Sequence, residues 1–302
     1  MQSNKSTYTL SLKDALFVRV RAYAQLVKMR LTLLVVFSAV FGYLMAPSVV
    51  GIDPMLLLLL GLSGFLITGA SNTLNQVIEV EHDAKMKRTE GRPLVQGVIS
   101  SLEAVIFAVI SGVIGVAMLA IFFPGMIAAL LGIIALLSYA FVYTPLKRVS
   151  SISVLVGAIP GAMPLLIGWA AATGGLSPVA WILFLIQFIW QFPHFWAIGW
   201  VCDEDYREAG FKMLPGDSGR SSFTASLVVI YTALLIPVSI LPFSMGMIGS
   251  IGLGVMVLAG LGFTFLAFKL LITMQVKAAS RVMFASFIYL PVVQILMLIE
   301  QF

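Results

Sequence analysis

The chain has 302 residues, of which 60% are hydrophobic and only 10% charged; its mean hydropathy is +1.06. A soluble domain carries about 25% charged residues, so soluble enzymes, secreted disulfide scaffolds and nucleic-acid-binding modules are excluded. The single cysteine, Cys202, permits no internal disulfide and no zinc-thiolate or iron–sulfur site, and the net charge of +5 matters less than where its charges fall.

Residues 1–30 form a polar, basic N-terminal segment without a cleavable signal pattern. Within it, 10–30 reads as an amphipathic interfacial helix with its cations at the headgroups. A mitochondrial presequence would look similar; the bacterial inner membrane is the preferred reading. From residue 31 to 302 a single all-α domain follows, with apolar stretches at about 31–48, 54–78, 102–122, 125–144, 151–172, 179–201, 222–243, 247–273 and 283–300. Each is near the ~20 residues that cross a bilayer, so the chain reads as a polytopic membrane protein of nine transmembrane helices. Pro124-Gly125 is a turn between the third and fourth spans, and Ser100 with Glu103 is a capping box opening the third.

All 18 Lys and Arg residues fall in the N-terminal segment or about the connections that follow even-numbered spans. The opposite connections, around 49–53, 123–124, 173–178 and 244–246, hold none. The positive-inside rule then puts the N-terminus in the cytoplasm and Phe302 outside.

Nine of the 13 acidic residues concentrate in two cytoplasmic segments at the mouths of spans: Glu79, Glu81, Asp83 and Glu90, then Asp203, Glu204, Asp205, Glu208 and Asp217. In the first, Asn75, Glu79 and Asp83 recur every four residues and stack on one helix face. Two carboxylates and an amide oxygen are hard ligands of the kind Mg²⁺ takes, the rest of its shell being water and substrate phosphate. Lys87, Arg88 and Arg92 follow at once, donors fit for phosphate oxygens. Carboxylates alone would serve Ca²⁺ or protons; with clustered cations they point to a metal-bridged diphosphate. A transport path would instead place ionisable residues at mid-span, where this chain has none. In the second segment His194 precedes the acidic cluster by about two and a half turns, amid Trp190, Phe192, Phe195 and Trp196. That suits an aromatic-walled pocket for a flat ligand, and His is the commonest axial ligand of haem iron.

The Asn75–Glu79–Asp83 motif with Lys85-Met-Lys-Arg-Thr and Arg92-Pro93 resembles the first acidic motif of the UbiA-type intramembrane prenyltransferases. The haem-farnesylating branch is the nearest in pattern, through Met86, Arg88, Thr89, Arg92, Pro93 and Leu94. Tyr143-Thr-Pro-Leu-Lys-Arg148, Gly157–Pro164 running on to Gly174, Pro193-His-Phe-Trp196, and Asp205-Tyr with Ala209–Pro215 support the same branch, over about Leu26 to the last span. Two departures stand out: Glu79 replaces the usual Asp, and Val201 rather than Asp lies four residues before Asp205.

The resemblance implies a helical bundle around a central cavity open to the membrane, capped by cytoplasmic acidic loops. It implies Mg²⁺ held by Asn75, Glu79, Asp83 and Asp205, with Lys87, Arg88, Arg92, Lys147, Arg148 and Lys212 on the diphosphate. Farnesyl diphosphate and haem B would be the substrates, His194 and Trp196 would meet the haem, and a downstream haem A synthase would take the product. Tyr143, Trp169, Trp196 and Tyr206 are candidates for the cavity wall, while the small-residue run 157–174 reads as helix contact surface. A quinone precursor as acceptor, or a non-catalytic haem-binding or transport protein, is the alternative.

Overall fold

In the computed structural model, which describes residues 12–49, 51–216 and 219–301, the regular elements are all helices. Asp217 and residues 1–11 of the N-terminal segment lie outside the described residues. In chain order the helices are α1 (Leu12–Leu26), α2 (Met29–Leu44), α3 (Pro54–Asp83), α4 (Ser101–Phe122) and α5 (Ile127–Leu146). Then come α6 (Ser153–Thr173), α7 (Pro178–Val201), the short α8 (Asp203–Glu208), α9 (Ser222–Ser244), α10 (Ser250–Thr273) and α11 (Val276–Gln301). Among the described residues, 8 helices are long and apolar enough to cross a membrane; α1 and α2, bent by 49°, make a ninth span if counted together. The expected spans are thus recovered. The first is the exception: α2 has only 16 residues and leans on α1 for length.

The starts of the spans are written in local chemistry. Asp53 caps α3 by accepting from the amides of Met55 (2.8 Å) and Leu56 (3.3 Å), with Pro54 where no donor is needed. Ser100 accepts from the Glu103 amide at 3.2 Å, as the capping-box pattern predicts. The Glu103 carboxylate turns aside to pair with Arg19 and to accept from the Tyr23 hydroxyl at 2.5 Å, fastening α1 against α4.

Lipid takes the place of water outside the bundle. Ile251, Ile121 and Leu102 are over 70% exposed, which only a hydrocarbon solvent makes tolerable. Helix α6 is the axis of the molecule: 78% of its apolar 18-residue stretch is buried, against 28% for that of α4. Its glycines allow that. Gly42 of α2 and Gly168 of α6 each face the other helix's backbone; a Cβ on Gly168 would stand 1.8 Å from the Ala39 carbonyl oxygen, and one on Gly42 2.3 Å from that of Leu165. The small-residue run is therefore helix contact surface. Gly168→Ala is expected to destabilise the protein by about 3 kcal/mol, because backbone and not a pliant side chain must retreat; thermal unfolding in detergent measures it.

The connections sort by end. Segments 84–92, 147–150 and 202–216 meet at one end, through Arg88–Tyr206 and a backbone bond from Lys212 to the Lys147 carbonyl (2.7 Å). At the other, Ser48 donates to the Ala172 carbonyl at 3.1 Å, and Gly125 packs against Gly174.

Candidate active site

Three departures from plain helix build the site. The first is the break between α1 and α2, where Lys28 adopts a left-handed conformation (φ 49°). Carbonyls stranded at that break are claimed by α3: Gln76 donates to Leu26 (2.7 Å) and Asn72 to Val27 (3.3 Å). So anchored, the break delivers Lys28 Nζ to Asn75 Oδ1 at 3.0 Å.

The second is a π-helical turn, Ser138–Tyr143, within α5. Pro145 has no amide hydrogen to return to the preceding turn, which leaves the helix free to widen ahead of it. Thr144, at its end, donates to the Tyr139 carbonyl (2.8 Å) and accepts from Asn75 Nδ2 (3.1 Å). The third is the pair of connections after α3 and α7, which fold over the same point.

Together they enclose a polar chamber of about 100 Å³ lined by Lys28, Asn75, Glu79, Asp83, Arg88, Arg92, Tyr139, Tyr143, Lys147, Tyr206 and the apolar Met86, Phe211 and Met213. Asn75, Glu79 and Asp83 share one face of α3 as their spacing predicts, and Asn75 Nδ2 donates to Glu79 Oε2 at 2.9 Å. Glu79 pairs with Lys147 through its other oxygen, and Asp83 with Arg92. Asp83 is 1% exposed; its second oxygen, Oδ1, is buried with no hydrogen bond among the described residues. Burial pushes the Lys147 ammonium down from its ordinary pKa while Glu79 pulls it up, so the ion pair is what favours its charged form. The ammonium also lies 4.9 Å over the Tyr143 ring and 5.2 Å over Phe211. Arg88 donates to the Tyr206 hydroxyl at 3.2 Å, and burial pushes that phenol up, keeping it neutral.

Two buried carboxylates and an amide oxygen, one carboxylate oxygen unclaimed, form a donor set that fits a hard divalent ion. Among the described residues no three His, Cys, Asp or Glu side chains converge into a closed metal centre.

The other nominated residues lie farther out. Asp205 is half-buried at the rim, where its charge acts on Arg88; its neighbour Tyr206 is the side chain that lines the chamber. Lys87 and Lys212 are exposed. Arg148 reaches back to the Ile78 carbonyl at 2.7 Å, bracing α3. His194 and Trp196 stand on different faces of α7: His194 meets Ser286 and Phe287 of α11, whereas Trp196 packs between Phe192 and Tyr231. Sequence reasoning missed Lys28 and Tyr139. A lone Lys ahead of a span is the ordinary mark of a membrane boundary, and nothing in the sequence announces the widened turn that aims Tyr139.

Tyr139 stands at a junction. Besides the polar chamber it lines an almost wholly apolar cavity inside the bundle, of about 90 Å³, bounded by Val35, Ala39, Ile67, Pro160, Pro164 and Ile167 among others. A charged recess and a hydrocarbon-lined one, walled on either side by the same aromatic residue, fit an amphiphile with an anionic head and an apolar tail.

Comparison with known proteins agrees with this geometry. Residues 35–290 match the UbiA prenyltransferase family. A protoheme IX farnesyltransferase from Cytophaga hutchinsonii is 44% identical over 281 residues, spanning 93% of this chain and 98% of that protein. The fold is similar to a solved digeranylgeranylglyceryl phosphate synthase (TM-score 0.77, 20% identity, 93% of this chain and 98% of that one). It is also similar to a UbiA homologue from Archaeoglobus fulgidus solved with GPP and Mg²⁺ (TM-score 0.67, 17% identity, 89% and 99%).

Proposed function

Because this chain belongs to the UbiA prenyltransferase family, we propose that it transfers a farnesyl group from farnesyl diphosphate to a vinyl group of haem B. Water adds in the same reaction, giving haem O and diphosphate. The allylic C–O bond of the diphosphate breaks, a C–C bond forms to the vinyl group, and water supplies the hydroxyl on the neighbouring carbon. The observation that carries the reading is Tyr139, which lines both the chamber of Glu79, Asp83, Arg88, Arg92 and Lys147 and the apolar cavity.

Mg²⁺ would be held by Asn75, Glu79 and Asp83, with Asp205 at the rim, and when bound would neutralise charge on the diphosphate oxygens. Lys28, Arg88, Arg92 and Lys147 hold the diphosphate and stabilise the negative charge that grows on it as the C–O bond ionises. Lys87, Arg148 and Lys212 add positive field around the mouth. Tyr139 presents a ring to the allylic cation, and the apolar cavity wall keeps water off it until the acceptor has attacked. His194 is the residue assigned to the haem, with Trp196 supporting the same stretch of α7. The distribution of basic residues supports loops that face the cytoplasm, and a bacterial inner membrane is the membrane we assign.

Membranes containing the protein, incubated with haem B and farnesyl diphosphate, should yield a pigment heavier by one farnesyl group and one hydroxyl. Chelation should stop the reaction and added Mg²⁺ restore it. Unaltered haem alongside a prenylated quinone precursor would move the acceptor to the alternative class, and full turnover under chelation would remove the metal.

A further inference from the structure

His194 and Trp190 are both gripped by one residue of the last helix, Ser286. Trp190 Nε1 donates to the Ser286 carbonyl at 2.9 Å, and its ring stacks on His194 with centroids 4.6 Å apart. Ser286 Oγ lies 2.7 Å from His194 Nδ1 and donates to the Met283 carbonyl at 2.5 Å. A serine hydroxyl has one hydrogen. With that hydrogen committed to Met283, Oγ can only accept from the imidazole, so Nδ1 carries the ring proton. In a neutral imidazole the lone pair is then on Nε2, to which nothing hydrogen-bonds among the described residues.

The surroundings give that lone pair an outlet. Ser286 is fully buried and His194 only 9% exposed, but Phe287, edge-on to the imidazole at 5.0 Å, is 43% exposed, and Trp190 and Phe195 are half-buried. The imidazole therefore sits at the mouth of the seam between α7 and α11, fixed in tilt by Trp190 and in tautomer by Ser286, with aromatic surface beside it for a flat apolar ring.

We infer that Ser286 is a positioning residue that holds His194 in its Nδ1-protonated form and so makes Nε2 an axial ligand for the iron of the acceptor haem. A metal-bound histidine commonly has its other ring nitrogen fixed by a hydrogen-bond acceptor; here a serine oxygen, polarised by a backbone carbonyl, has that place. The inference rests on haem B being the acceptor.

Purified full-length protein in lipid nanodiscs, titrated with haem B and followed by optical and electron paramagnetic resonance spectra, tests it. The wild type should show histidine-ligated haem, and His194→Ala should lose that signature. Ser286→Ala should bind haem about 10–100-fold more weakly with altered axial ligation, while Ser286→Thr, which keeps the hydroxyl, should restore both. A Ser286→Ala variant with wild-type affinity and spectrum would overturn the positioning role. A histidine-ligated spectrum surviving in His194→Ala would overturn the ligand itself, leaving farnesyl transfer standing if the pigment still gains mass. Wild-type protein that neither binds nor alters haem would remove the acceptor reading.

Discussion

Replacing Asp83 by Ala is expected to lower turnover about 1,000-fold, or ~4 kcal/mol of transition-state stabilisation, while leaving the protein folded. Among the described residues Asp83 Oδ1 is a buried chamber carboxylate oxygen that accepts no hydrogen bond and lies in no ion pair, so Asp83 has most to give an incoming ion. Its removal also frees Arg92, its ion-pair partner, to bind phosphate. Affinity for farnesyl diphosphate should therefore change far less than turnover. Asp83→Asn, which keeps an oxygen but not the charge, should fall between. Single-turnover kinetics with product mass as the readout separate the two effects. A large rise in KM with unchanged kcat would mean that Asp83 only binds the substrate.

The second large effect is on the Glu79–Lys147 pair. Glu79 is 3% and Lys147 8% exposed. Lys147→Met should cost about 3–5 kcal/mol of stability, because it strands a carboxylate away from water. Glu79→Gln in the same chain removes the stranded charge, so the double variant should recover most of the lost thermal stability. Turnover should stay low in both, since one lacks a phosphate-binding cation and the other that cation and a metal-binding oxygen as well. If the double variant recovered activity along with stability, the pair would be structural only.

Much of this was legible in the sequence because the bilayer simplifies the problem. A span must be apolar over a set length, and a charge near it must have a reason, so the helices, their two-sided connections and the Asn75–Glu79–Asp83 face follow from patterning. What escaped depends on departures from regular helix. Lys28 enters the chamber because the chain breaks there, and the anchors of that break, Asn72 and Gln76, lie more than 40 residues away. Tyr139 is aimed by a widened turn that Pro145 permits but does not dictate. The second acidic segment is harder to read for a similar reason: six residues of α8 carry three acidic side chains in their first turn, and which neighbour turns inward is decided by the loop. Tyr206 does so, whereas Asp203 and Glu204 pair with Arg207 and Arg220.

Helix α3 is 30 residues long, about 45 Å at 1.5 Å per residue, against a hydrocarbon thickness of about 30 Å. Its surplus lies at the end that bears Glu79 and Asp83. The scissile bond is consequently held near the plane where oil gives way to water. An amphiphilic substrate can slide in from its own leaflet with head and tail already oriented, and its anionic group need never cross the membrane interior to be cleaved. On the proposed reaction diphosphate would leave into water and the enlarged pigment into lipid, so the two products would part by partitioning and would not compete for one exit.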